Sequence, residues 1–425
     1  MKIEKVNKIK GVIYPPGDKS ISHRVALICA LSMGENVIEN FLISDDTLRT
    51  LNCLESLGVE IEISEKLKIR GRGIRNFRKP DSILDAGNSG TTIRLLAGIL
   101  AGQNFNSEIT GDESLRRRPM MRIVKPLKMM GAKIEATENG TAPLKIYAVE
   151  KLNPIRYELE IPSAQVKSCL IFAGLHAEGK TKIIEKIPTR DHTERLLGLK
   201  VVSENGEKII EVKPIKIEPR HYFIPGDIST SAFFIVAASI VPNSHIVIKN
   251  VSLNPTRIGF INILKKMGAQ IEFENLRESS NEPIGDVIVK SGNEINLKNL
   301  TLSGELIPNI IDEIPILSIA GTVAEGVFKV RDASDLRNKE SDRIKAIVHN
   351  LRNMGLEVEE YEDGFAFEGG RKLKGAFIET FNDHRIAMAF SIAGLIADGE
   401  TIIDKPECVK ISFPDFYKTL RKIVN

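Results

Sequence analysis

The chain has 425 residues, 42% hydrophobic and 27% charged, with 59 Lys and Arg against 56 Asp and Glu and a net charge of +3. That near balance excludes a polybasic nucleic-acid scaffold and an acidic disordered tail, and the apolar fraction supports a large buried core. No apolar run approaches the ~18 residues of a membrane span, the N-terminal MKIEKVNKIK is charged throughout, and the four cysteines form no C-x-x-C, which argues against a signal segment, a disulfide scaffold, an iron–sulfur cluster or a structural zinc site. The default is a reduced, cytoplasmic protein with no membrane or nucleic-acid partner. Length alone suggests about three domains.

The first predicted element is a strand, since Lys2 to Ile13 alternates apolar and polar residues. Six segments of one design follow. They are GDKSISHRVALICALSMGEN (17–36), GNSGTTIRLLAGILAGQ (87–103), SAQVKSCLIFAGLHAEGK (163–180), GDISTSAFFIVAASIVPNS (226–244), IDEIPILSIAGTVAEG (311–326) and NDHRIAMAFSIAGLIADGE (382–400), starting 70, 76, 63, 85 and 71 residues apart. Each reads as a helix capped by Asp, Asn, Ser or Thr and stopped near a Gly. All are rich in Ala and apolar nearly all round, so they are expected to be buried.

A second block trails the first. LESLGVEIE (54–62), LKMMGAKIE (127–135), LLGLKVVSE (196–204), LKKMGAQIE (264–272) and LRNMGLEVE (351–359) each predict an amphipathic helix, a Gly C-cap and a strand. Their glycines, Gly58, Gly131, Gly198, Gly268 and Gly355, fall 41, 44, 35, 42 and 44 residues after the unit starts. The chain is therefore six repeats of about 70 residues. The sixth, ending in FYKTLRKIV, stops before its next strand, and Lys2 to Ile13 has no unit of its own. The N-terminal strand is expected to fill that gap. This predicts one continuous domain, 18–225, and one discontinuous domain, 1–17 plus 226–425.

Cations recur at the helix starts: Lys19 and Arg24, Arg94, Arg116 to Arg118, Lys167, Arg190, Lys339 and Arg343, and Arg385. Helix N-termini already favour anions, so these ends together suggest a site for several anionic groups facing one cleft. Taken singly, each start is only a cap. Asp335 to Arg343 packs six charged residues into nine positions; as a helix it would put Lys339 and Arg343 on one face with Glu340 beside them. Asp312 and Glu313 precede a helix at Ile314-Pro315, and paired carboxylates near cations suit acid–base work on an anionic substrate. His192 lacks a second histidine for a metal pair. His23 and His384 are open between structural and proton-handling roles.

Taken in order, Gly17-Asp18-Lys19-Ser20-Ile21-Ser22-His23-Arg24, Gly87-Asn88-Ser89-Gly90-Thr91-Thr92-Ile93-Arg94, Arg118-Pro119-Met120, Ser163-Ala164-Gln165-Val166-Lys167, Lys339-Glu340-Ser341-Asp342-Arg343 and Asn382-Asp383-His384-Arg385 resemble the enolpyruvylshikimate-phosphate synthase family over essentially the whole chain. The resemblance implies an α/β fold of two domains, an inside-out α/β barrel in which each domain holds three β-α-β-α-β-β units, with the active site in the cleft between them. It implies carboxyvinyl transfer from phosphoenolpyruvate to the 5-hydroxyl of shikimate 3-phosphate on the route to chorismate, with no cofactor or metal, in a monomer.

By motif match, Ser20 and Arg24 would hold the shikimate carboxylate, and Ser163, Ala164 and Arg190 its phosphate, with Gln165 near the ring. Arg118, Arg343 and Arg385 would clamp phosphoenolpyruvate, Gly90 would let it approach the backbone, and Gln165 would also touch it. Lys19 would bridge both substrates. Asp312 matches the base for the 5-hydroxyl and Glu340 the acid for the methylene carbon, with Lys339 against the hydroxyl. Ile411 stands where the better-studied branch has a lysine, with Lys410 one residue earlier, and Ala164 replaces a serine. Ser163 to Lys167 and Arg190 to Glu194 resemble the second (class II) branch instead. The rivals are transfer of the same group to a UDP-sugar, against which the loop Gly111 to Arg116 lacks a cysteine, and a non-catalytic repeat ring binding an acidic polymer.

Overall fold

The computed structural model describes residues 1–424. The six apolar segments are helices: α1 (Lys19–Leu31), α2 (Gly90–Leu100), α3 (Ala164–Gly174), α4 (Ile228–Ile240), α5 (Ile314–Val323) and α6 (His384–Gly394). They are buried almost end to end, and every residue of α4 is buried. Five start on a side-chain cap: Asp18, Ser89, Ser163, Asp227 and Asp383 each accept an N–H of the first turn. The start of α5 departs from expectation, because Glu313 makes no capping bond there. Its carboxylate accepts from the Ser229 hydroxyl instead.

Two compact units emerge. One is Gly17–Ile224 with Ser279–Glu282; the other is Met1–Pro16, Pro225–Glu278 and the chain from Pro283 onward. In the first, α1, α2 and α3 share a core with three four-stranded sheets. In the second, α4, α5 and α6 share a core with two four-stranded sheets and one of three strands.

Each four-stranded sheet repeats one pattern. Leu84–Asp85 pairs parallel with Ser107–Thr110, which pairs antiparallel with Leu144–Tyr147, which pairs antiparallel with Lys133–Glu135. The parallel pair brackets α2, as a β-α-β crossover requires. The strands before α1 and α4 are exchanged. Lys10–Ile13 precedes α1 yet pairs parallel with His245–Ser252 after α4. His221–Phe223 precedes α4 yet pairs parallel with Met33–Glu39 after α1. The N-terminal segment is two strands rather than one: Lys2–Ile3 lies antiparallel to Thr401–Ile403 and completes the three-stranded sheet. The turn Ser279–Glu282, at the tip of the hairpin of Gln270–Ser279 and Glu282–Lys290, groups with the other unit from its own strands.

The five marker glycines all have positive φ, from 62° at Gly198 to 113° at Gly268. That conformation ends a helix without the Cβ clash other residues suffer. Gly98 serves a different purpose. It lies inside α2, and a Cβ there would stand 2.2 Å from the backbone oxygen of Cys169 in α3. The two helices pack on bare backbone, and neither can retreat in a close-packed core.

Gly98→Ala is therefore expected to lose about 1–3 kcal/mol by overpacking. Urea unfolding measures this, and an unchanged midpoint would refute the close approach.

Candidate active site

The polar starts of the inner helices meet within each unit. In the continuous unit, Arg24 of α1 is 3% exposed. Its Nε donates to Thr193 Oγ1 (2.8 Å), Nη1 to the Ser20 carbonyl (2.9 Å) and Nη2 to Ser168 Oγ of α3 (3.0 Å). Lys19 donates to Asp46 Oδ2 at 3.0 Å, so its ammonium is aimed by a carboxylate on the helix Asp45–Ser56. Gln165 of α3 bridges to α2, accepting from Arg94 Nη1 at 2.6 Å and donating to Thr91 Oγ1 at 3.0 Å. Arg118 donates to Asn88 Oδ1 at 2.5 Å.

Gly90 opens α2 in front of two of these cations. A Cβ built on it would lie 2.8 Å from Arg94 Nη1 and 3.2 Å from Arg118 Nη1. The missing side chain lets two guanidinium groups approach one point at a helix start, the arrangement that suits a carboxylate or phosphate. Arg94 is a helix-start cation to which the motif match assigns no role; its i,i+4 spacing from Gly90 is the sequence signal for one.

In the discontinuous unit the centre is Arg343, 1% exposed. Its Nε donates to Asp383 Oδ2 (2.8 Å), Nη2 to Glu340 Oε2 (2.7 Å) and Nη1 to Asp312 Oδ1 (3.3 Å). Burial opposes its charge, but Asp383, Glu340 and Asp312 outweigh burial and hold its pKa above the usual arginine range. Arg385 Nη1 donates to Ser229 Oγ and to the Asp312 carbonyl, both at 2.8 Å. Asp312, Glu340, Arg343 and Arg385 thus form one hydrogen-bonded group. Asp383, Ser229 and Glu313 belong to it although their side chains carried no role in the motif reading.

Two sequence expectations fail locally. Asp335 to Arg343 is not one helix. Ser334–Asn338 is a 3₁₀ turn, Lys339 is extended, and Arg343 opens a new helix capped by Asp342. An Asp that can accept N–H groups favours a cap over a helix interior. Lys339 and Arg343 therefore do not share a helix face, and Lys339 pairs with Asp335 at 3.1 Å. Lys167, counted among the cations facing ligand, is fully buried between Glu185 and Glu194.

His23 is buried and lies 2.7 Å from Thr50 Oγ1, a contact that ties α1 to the helix Asp45–Ser56; burial, then the charges of Lys19 and Arg24, push its pKa well below the usual imidazole value. His192 lies 2.7 Å from Glu282 Oε1, and His384 is buried beside Asp383. Among the described residues no group of three or more His, Cys, Asp and Glu is arranged for a metal ion, and no single helix is long and apolar enough to cross a membrane.

A family model described as EPSP synthase (3-phosphoshikimate 1-carboxyvinyltransferase) matches residues 3–420. The chain belongs to the EPSP synthase family. The 3-phosphoshikimate 1-carboxyvinyltransferase of Thermoanaerobacter sp. (strain X514) is 49% identical over 423 residues, covering 99% of each chain. That of Aquifex aeolicus is 47% identical over 431 residues, covering 100% of this chain and 99% of its own. The solved EPSP synthase of Acinetobacter baumannii superposes with a TM-score of 0.87 at 42% identity, covering 99% of this chain and 97% of the other. The two-unit inside-out α/β fold is that of EPSP synthases.

In this EPSP synthase family member, Asp383 both caps α6 and neutralises Arg343. Burial opposes its charge, but Arg343 holds its carboxyl below the usual 3.8. A depressed carboxylate contributes stability that is fully present above the unfolded value and is lost as pH falls through the folded one. Asp383→Asn is expected to lose about 2–3 kcal/mol at pH 7, somewhat less than fully breaking a buried pair because Glu340 and Asp312 remain. The gap between variant and parent should narrow below pH 3.8, read by chemical unfolding across pH. A gap that does not narrow there removes the charge argument.

Proposed function

We propose that this chain transfers the carboxyvinyl group of phosphoenolpyruvate to the 5-hydroxyl of shikimate 3-phosphate, releasing phosphate, within the synthesis of chorismate and the aromatic amino acids. The observation that carries the reading is the seat at Gly90, where Arg94 and Arg118 converge on a residue with no side chain. Both substrates are polyanions, and planar guanidinium forks match their carboxylates and phosphoryl groups.

The roles are those the motif match implies. Arg118, Arg343 and Arg385 clamp phosphoenolpyruvate, with Gly90 and Gln165 beside it. Ser163, Ala164 and Arg190 take the phosphate of shikimate 3-phosphate, Ser20 and Arg24 its carboxylate, and Gln165 faces its ring. Lys19 bridges the two substrates, and Lys339 lies against the 5-hydroxyl. Asp312 takes the proton of the 5-hydroxyl as that oxygen bonds to C2 of phosphoenolpyruvate, and Glu340 delivers a proton to the methylene carbon. A tetrahedral intermediate forms. Its collapse breaks the bond from C2 to the phosphate oxygen, and loss of a methyl proton restores the vinyl group. A ligand anion reaching Arg343 competes with Glu340 and Asp312 for one guanidinium, so binding loosens the two carboxylates that do the proton work.

As the resemblance implies, binding of both substrates closes the enzyme and excludes water. Ser163 to Lys167 and Arg190 to Glu194 support membership of the second branch of the family. A cytoplasmic monomer completes the reading.

The test is phosphate release with each substrate omitted in turn. Release is expected only with both; release without shikimate 3-phosphate, or with a UDP-sugar in its place, would sink the assignment. Asp312→Asn should lower kcat at least ~100-fold, as expected for removing a general base, while calorimetry still detects shikimate 3-phosphate. Unchanged turnover removes Asp312 as the base.

Closure has its own measure. The radius of gyration from small-angle scattering should fall when both ligands are present, and an unchanged curve argues against it.

A further inference from the structure

Lys167 lies one turn into α3, yet its side chain is fully buried. Its Nζ is 2.8 Å from Glu185 Oε2 and 2.7 Å from Glu194 Oε1, and it donates to the Thr189 carbonyl at 3.5 Å. Glu185 ends the strand Thr181–Glu185, and Glu194 lies in the short helix His192–Leu197. The segment between them carries Arg190. The second oxygen of Glu185 accepts the Thr189 N–H at 3.2 Å and the Thr189 hydroxyl. Residues on both sides of Arg190 are therefore fixed to one ammonium.

A second tie runs alongside. Thr193 Oγ1 lies 2.8 Å from Ser168 Oγ and accepts from Arg24 Nε. Ser168 Oγ donates to the Ala164 carbonyl at 2.7 Å. The segment holding Arg190 is thus linked to α1 and to the start of α3. Burial opposes the charge on Lys167, but Glu194 and Glu185 outweigh it and hold the ammonium above the ordinary lysine range. A lysine so engaged neutralises carboxylates and has no N–H to spare for a ligand.

We propose that Lys167, Glu185 and Glu194 form a positioning cluster that sets Arg190, and with it the start of α3, for the phosphoryl group of the sugar-like substrate. The inference rests on the assignment of Arg190 to the phosphate of shikimate 3-phosphate given above. Lys167 acts through Arg190 and touches no substrate. By sequence Lys167 is one of the helix-start cations that suggest an anion site; its burial between Glu185 and Glu194 sets it apart from them.

Lys167→Met leaves two buried carboxylates without a counter-charge, which destabilises strongly. The triple variant Lys167→Met/Glu185→Gln/Glu194→Gln keeps the volume, removes the unmatched charge, and carries the test if the single variant does not fold. Calorimetry with shikimate 3-phosphate and steady-state kinetics are measured on these variants and on Arg190→Ala. The dissociation constant and KM for shikimate 3-phosphate should rise at least ~10-fold, with kcat and the KM for phosphoenolpyruvate within about 2-fold. Adding Arg190→Ala to the triple variant should bring little further loss, because both act through one contact.

A plain structural brace predicts a lower unfolding midpoint with substrate affinity intact, and that result overturns the proposal. So does a loss fully additive with Arg190→Ala, or an equal fall in every kinetic constant. If Arg190→Ala itself leaves affinity unchanged, the phosphate assignment fails and this inference with it. If Arg190→Ala weakens binding and the cluster variants do not, only this inference fails.

Discussion

Everything in this protein depends on inner helices that are buried almost end to end. A helix with water along one face can leave its terminal N–H groups to solvent, but these helices reach water at most at their starts. Each must satisfy its first turn with a cap, a neighbouring side chain or a ligand. Asp18, Ser89, Ser163, Asp227 and Asp383 supply caps. The remaining polar groups at those ends then gather by hydrogen bonding between starts, as Gln165 joins α3 to α2 and Arg385 joins α6 to α4 and to the turn before α5. A concentration of donors and cations at one end is the consequence of making the rest of each helix apolar.

The same constraint explains how buried cations are managed. Lys167 and Arg343 are both surrounded by carboxylates, and in both the carboxylates outweigh desolvation. Their geometries differ. Lys167 is enclosed by Glu185, Glu194 and a carbonyl, which uses up a compact ammonium. Arg343 spreads a planar fork across three carboxylates. Asp383 holds it permanently as part of the cap of α6. Glu340 and Asp312 are each about a fifth exposed. A planar fork thus lets one residue be locked into the fold on one edge and meet half-buried carboxylates on the other.

Much of the architecture was legible because the repeats write it in plain periodicity. The buried helices followed from Ala-rich apolar runs, and the marker glycines from their constant offsets; each takes the positive φ that a helix stop requires. The α/β class and the threefold repetition came from the same pattern. One detail that escaped is local and the others are long-range. Asp335 to Arg343 looked like a helix because i,i+4 charges fit one, while the pairing of Asp342 with the Lys345 N–H made it a cap. Lys167 looked like its neighbours because nothing local reveals that Glu185 and Glu194 close around it. Arg94, Ser229 and Asp383 carry no role in the motifs because the partners Gln165, Arg385 and Arg343 are 71, 156 and 40 residues away.

The sequence by itself determined six buried helices with charged starts, since a run of apolar residues behind a polar cap has one stable disposition. It also carried the ordered motifs that place the chain in its family. Only the tertiary structure decided which cations face inward and which are spent on carboxylates. It decided, too, that the strands before α1 and α4 change partners, a choice that neither strand's own residues encode. The reason is the same in each case: a side chain's charge is written in the chain, but whether that charge meets protein or ligand depends on what distant segments bring to it.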